Sequence, residues 1–201
     1  MCHALVQDPR FFALLLQIDR ELAAQTRAAG CACSGRLHCA DYPRKPRGVT
    51  AELRCGFVRR YSFCCRVCRK RTTAESVRFL GRRVYLALGV VLSSSRHAGS
   101  NSGTPVLAGL TGLAVPLRTL ERWRSWWQEA FVHTPLWRGA GGTFMPPVNA
   151  AGLPVSLLER FTSTAALPRL SAMLRWLSPL TVRAPVSAID HACEHVGEHA
   201  A

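Results

Sequence analysis

Acidic side chains are scarce in this chain. Its 201 residues include 12 Asp+Glu against 26 Lys+Arg, a formal net charge of +14 with a pI near 10.4. So few carboxylates argue against a hydrolase that gathers several of them at one site, and so much positive charge favours a polyanionic partner, nucleic acid first and anionic membrane second. Long apolar runs are also missing. The longest, Phe11–Leu16 and Val84–Leu92, fall well short of the roughly 18–20 residues that span a bilayer. The N-terminus lacks a basic leader, and Gln17 and Asp19 interrupt its apolar stretch, so it does not read as a secretory signal. No internal repeat is visible. Hydrophobic residues are not in short supply: at 48% they exclude a fully disordered chain. One domain or two small ones fit this length, and a single one would bury roughly 70% of its unfolded surface.

What the chain has in excess is unevenly placed. Between Arg36 and Arg83 lie 14 of the basic residues and 3 acids, a surplus of 11 in about a quarter of the sequence. The same stretch carries Cys39, Cys55, Cys64, Cys65 and Cys68, with Cys31 and Cys33 just before it. Aromatic residues interleave with the charge at Tyr42, Phe57, Tyr61, Phe63 and Phe79, unlike a plain solvated run. Nine cysteines without an export signal point to a reducing cytosol, where clustered thiols bind metal more often than they pair.

Local signals divide the chain into blocks. Asp8-Pro9 reads as an N-cap followed by Pro at the first helical position. Leu14, Leu15, Ile18 and Leu22 recur at helical spacing and Gly30 supplies a stop, so a helix is expected over 9–29. Pro43, Pro46, Gly48 and Gly56 break helical periodicity over 31–75, and Arg54–Phe63 reads as short strands around a turn. A helix is expected over Arg82–Ser94, then a Ser/Gly linker to Pro105. Further helices are expected over 116–131, near 154–166 and near 168–178.

The thiols are the strongest chemical signal. Cys31-Ala-Cys33 and Cys65-Arg-Val-Cys68 are two tight pairs. Zinc takes four soft ligands in a tetrahedron, and a pair of cysteines on one turn supplies two. A basic, Pro-rich segment has little apolar surface, so metal binding could provide folding free energy on the order of 10 kcal/mol. The expected ligands are Cys31, Cys33, Cys65 and Cys68, and the cofactor Zn2+. The first pair is one residue short of Cys-x-x-Cys and the gap between pairs is long, which leaves Cys64 as an alternative to Cys65, and His38 or Cys39 to one of the first pair. His191, Cys193, His195 and His199 lie at the C-terminal end with no second pair of ligands, and a frayed terminus is the expectation there.

A second signal is the segment Leu117–Phe131. Leu117, Leu120, Trp123, Trp127 and Phe131 form one apolar stripe, while Arg118, Thr119, Arg122 and Ser125 fall opposite. A short helix docked by aromatics and displaying Arg suits a recognition helix, so Arg118, Thr119 and Arg122 are candidate DNA contacts. Arg44, Lys45, Arg47, Arg69, Lys70 and Arg71 are candidate phosphate contacts.

Gly35–Gly48, Arg60–Cys65, Cys68–Thr73, Val77–Tyr85 and Arg118–Trp127 resemble bacterial transposase-like proteins associated with mobile elements. The design is similar to the zinc ribbon and helix-turn-helix at the N-terminus of insertion-sequence transposases, with Cys-Arg-Lys-Arg-Thr-Thr after the second thiol pair as its most specific piece. The resemblance covers roughly residues 28–180; with the local signals, the expectation is a mainly α protein with a small β zinc ribbon, an α+β class. It divides into an N-terminal helix (1–30), the ribbon (31–76), a helix-turn-helix-like region (77–138) and a helical tail (139–201) with a disordered end. It implies duplex DNA binding in a bacterial cytoplasm, at the nucleoid when bound. A transposase active site needs three carboxylates around two metal ions. From the stripe onward stand Glu121, Glu129, Glu159, Asp190, Glu194 and Glu198, none closing a strand pattern. The expected function is therefore a non-catalytic, zinc-dependent DNA-binding accessory or regulator, with no membrane or small-molecule substrate. A zinc-stabilised module for single-stranded RNA or DNA, or for protein, is the alternative, and the remnant of a catalytic transposase a more distant one.

Overall fold

The computed structural model describes residues 9–44, 54–80, 85–86, 121–122 and 124–182. They form helices and small antiparallel sheets, an α+β arrangement.

Helix α1 spans Pro9–Ala29, the range read from sequence. Phe11, Leu15, Ile18 and Ala23 form its buried stripe, while Leu14 and Leu22 are half-buried. Gly30 ends it at φ +74°, a conformation that glycine reaches without steric cost.

Beyond α1 the chain makes short strands. A three-stranded sheet runs in the order β1 (Leu37–Cys39), β4 (Ser62–Cys65), β5 (Arg71–Thr73), both pairings antiparallel. β2 (Tyr42–Pro43) pairs with β3 (Arg59–Arg60). The strands expected across Arg54–Phe63 start late, because Arg54–Phe57 is a 3-10 turn. The inner face of the three-stranded sheet, with Leu37, Phe63 and Cys65, packs with Ala23 of α1 and Ala74.

The helix expected over Arg82–Ser94 is corrected where the structure describes it. Tyr85–Leu86 is a strand, β7, paired antiparallel with β6 (Phe79–Leu80). Phe, Leu and Tyr on either side of Gly81 suit a hairpin, and short apolar runs fit either period. The rest of 82–94, the linker to Pro105 and the segment of the first helix-turn-helix helix lie outside the described residues.

The C-terminal half is helical and aromatic. Residues 121–122 and 124–125 are helical, Trp126–Ala130 is a π turn and Phe131–His133 a 3-10 turn. Helix α2 (Pro135–Ala140), not anticipated from sequence, begins on Thr134, whose hydroxyl accepts from the Trp137 amide, with Pro135 at its first position. The helix expected near 154–166 is the single turn α3 (Val155–Leu158), and the one expected near 168–178 is α4 (Ala166–Leu177), with Pro168 at its third position. Trp127, Phe131, Leu153, Leu157, Met173 and Leu177 form a buried cluster, with Trp137, Phe144, Phe161 and Trp176 packed around it.

Polar contacts join α1 to the segment after the sheet, and the sheet and that segment to the C-terminal half. The Asp19 carboxylate of α1, 1% exposed, accepts from Arg78 Nε at 2.6 Å, the Val77 amide at 2.6 Å and Ser76 Oγ at 2.5 Å. Arg78 also donates to the carbonyls of Gly56 and Arg59 and sits 4.9 Å from the Phe79 ring. Arg60 is buried, donates to the Ala74 carbonyl and to Thr181, and has its pKa lowered by that burial. Thr181 Oγ1 accepts from the Ser76 amide, and Ser178 donates to Glu75. A buried ion pair left without one partner costs about 3–5 kcal/mol, so these links fix the cysteine-bearing sheet against α1 and α4.

Candidate metal centre

Two tight turns bring the sulfurs together. Ser34 donates its amide to the Cys31 carbonyl at 2.7 Å and adopts φ +62°. On the other turn the Arg69 amide donates to the Cys65 carbonyl at 3.2 Å, at φ +59°. Each pair of cysteines therefore sits on a loop closed by a residue in the left-handed region, uncommon for a residue with a side chain. Gly35 follows the first turn against the second. A Cβ there would lie 2.5 Å from Cys65 Sγ, so only glycine permits this approach.

The sulfurs of Cys31, Cys33, Cys65 and Cys68 all lie within 4.8 Å of one another. Cys31–Cys68, Cys33–Cys65 and Cys31–Cys33 are each 3.5 Å apart. Four sulfurs about 2.3 Å from one tetrahedral ion would be about 3.8 Å apart, so these side chains could hold a metal. Cys65 is buried, Cys31 and Cys68 half-buried and Cys33 exposed. Amides of the second turn, that of Cys68 first and then that of Val67, favour the Cys65 thiolate and bring its pKa down to about 6. The Lys70 amide pulls Cys68 the same way, but contacts with the sulfurs of Cys31, Cys33 and Cys65, together with burial, prevail and push it up to about 12. Clustered thiols thus share little negative charge among themselves, and a divalent cation is the ordinary remedy.

The alternatives left open by spacing fall outside this cluster. Cys64 donates to the Arg69 and Cys65 carbonyls, and His38 and Cys39 are exposed on β1. Among the described residues no other group of metal-ligating side chains converges.

Of the nominated nucleic-acid contacts, Arg69, Lys70 and Arg71 are exposed on or beside β5. Register places His38, Cys64 and Arg71 in one row across the outer face of the sheet. Arg36 and Arg66, exposed and joined through a backbone hydrogen bond, extend this face, although sequence reading did not single them out. The signal was alternation with His38 and Cys64, weak over strands this short. Arg71 donates to the Ala40 carbonyl and to Ser62, and its guanidinium lies 5.8 Å from the Tyr42 ring. Arg44 stands 4.8 Å from the same ring and donates to the Tyr42 hydroxyl. Arg122 is exposed, with Trp127 and Phe131 buried, whereas Lys45, Arg47, Arg118 and Thr119 lie outside the described residues.

No family model matches the chain, and no significant match was found among curated proteins or solved structures. Among the described residues no helix is long and apolar enough to cross a membrane.

Proposed function

We propose that the chain is a zinc-dependent DNA-binding protein whose zinc ribbon, closed by Cys31, Cys33, Cys65 and Cys68, presents a basic face to the phosphate backbone. The observation that carries this reading is the outer face of the sheet. Arg36, Arg66 and Arg71 are exposed there, Arg69 and Lys70 are exposed on the adjoining turn, and none forms an ion pair among the described residues. Metal-held turns fix the backbone beneath these cations, so positive charge is presented on a preformed surface. A second contact, from the helix carrying Arg118, Thr119 and Arg122, is the helix-turn-helix part of the proposal. The resemblance to transposase-like proteins suggests an accessory or regulator of a mobile element. A non-catalytic role is favoured because Glu121, Glu129 and Glu159 are exposed and do not converge.

Anisotropy titration of a labelled duplex over about 50–200 mM salt tests the electrostatic core of the proposal. With about five phosphate contacts the slope of log K against log salt is near −4.5. A flat response contradicts it.

A further inference from the structure

Between α1 and the inner face of the three-stranded sheet lies an open groove of about 560 Å³. This volume falls within the roughly 300–1,000 Å³ of small-ligand sites. Ala23, Ala24 and Ala28 form the helix wall, with Arg20 and Arg27 beside them. The two arginines are exposed, share one helix face about 10.5 Å apart along the axis, and form no ion pair among the described residues. Half-buried Tyr61, its ring 5.0 Å from the Arg78 guanidinium, forms the opposite wall beside the buried Phe63. Asp41 completes it. Its Oδ1 accepts from the Ser62 amide at 3.1 Å, which orients the carboxylate, and Oδ2 has no hydrogen bond among the described residues.

These three chemistries do not match a bare oxyanion, because Asp41 repels it. A purely apolar guest leaves the arginines unused. The groove suits a ligand with an anionic part for Arg20 and Arg27, a flat apolar part for the aromatic wall, and a donor for Asp41. A nucleotide carries all three, and only an unpaired one exposes its ring face and its donor edge together. Cys39, on the edge strand β1, also lines the groove. A strand on the outer cationic face could therefore reach it around that edge.

We propose that this groove takes one unpaired nucleotide of the bound strand, an inference that rests on the nucleic-acid reading above. The experiment compares a perfect duplex with the same duplex carrying a single-nucleotide bulge, using the full chain. The bulged duplex binds about tenfold tighter, as expected for one base stacked on an aromatic side chain. Ala24→Trp fills the groove from an exposed helix position. It removes the preference and leaves affinity for the perfect duplex unchanged. Arg27→Ala, which adds no bulk, lowers the preference severalfold and serves as the second variant if Ala24→Trp melts early. Equal affinity of the wild type for both duplexes, or a preference that survives both substitutions, overturns the groove while leaving the cationic face standing. Failure to bind either duplex overturns both.

Discussion

The cysteine-bearing sheet and the C-terminal aromatic cluster solve the same problem by different means. The sheet is built from strands of three or four residues, and its outer face is cationic. Its inner face buries Leu37, Phe63, Cys65 and two alanines, a small apolar area for the backbone it must order. The C-terminal half buries Trp127, Phe131, Leu153, Leu157, Met173 and Leu177 under a ring of further aromatics. Each such side chain contributes about 1.5–3 kcal/mol by leaving water. On the proposed reading the first region relies on four sulfurs around one ion, whereas the second relies on packing. A surface crowded with cations is compatible with a small domain when a covalent-like centre holds it.

The sharpest way to break this comparison is to remove a ligand. Cys31→Ser should forfeit metal-linked folding free energy on the order of 10 kcal/mol and unfold the sheet. Hydrogen exchange of β1, β4 and β5 amides would become fast, while near-UV circular dichroism of the tryptophans stays largely native. Collapse of both signals together would mean that the halves are one cooperative unit. Trp127→Ala acts on the other side. It should cost about 3–5 kcal/mol in a denaturant melt without changing metal content. Trp127→Phe should cost much less, because the buried indole Nε1 has no hydrogen-bond partner among the described residues and packing is what the ring supplies. Asp19→Ala tests the seam between α1 and the segment after the sheet. It leaves Arg78 buried without its carboxylate and should cost about 3–5 kcal/mol, while Asp19→Asn retains some of the hydrogen bonds and costs less.

Surface charge should move binding and not folding. Arg69→Ala should lower duplex affinity regardless of sequence and reduce the magnitude of the salt slope by about 1. An unchanged slope would take Arg69 off the interface. The smallest expected effect is at Glu21, paired with Arg175 at 2.5 Å on the surface. The hydrogen bond from Arg175, then that from Gln17, lowers the Glu21 pKa. Its folded value lies below its unfolded one, so the contribution is present above the unfolded pKa and lost as pH falls through the folded one. Glu21→Gln should barely shift the neutral-pH melt, since exposed pairs are screened. A large shift would reveal a stronger join between α1 and α4.

What sequence made legible follows from the range of each interaction. The limits of α1 were readable because Pro9 and Gly30 act within one turn of the chain. The thiol set was readable because ligand spacing is local, although only the fold separates Cys65 from Cys64, by turning the former inward. Tyr85–Leu86 was misread because a short apolar run fits both helical and strand periods. The groove was out of reach. It joins Arg20 and Arg27 to Asp41, Tyr61 and Phe63, and no local pattern encodes that meeting.

The central claim is that one metal ion closes the sheet. Elemental analysis of the protein purified without chelator should find about one zinc per chain, lost on substitution of Cys31 or Cys68. Protein that carries no bound metal, yet shows slowly exchanging β4 amides, would contradict it.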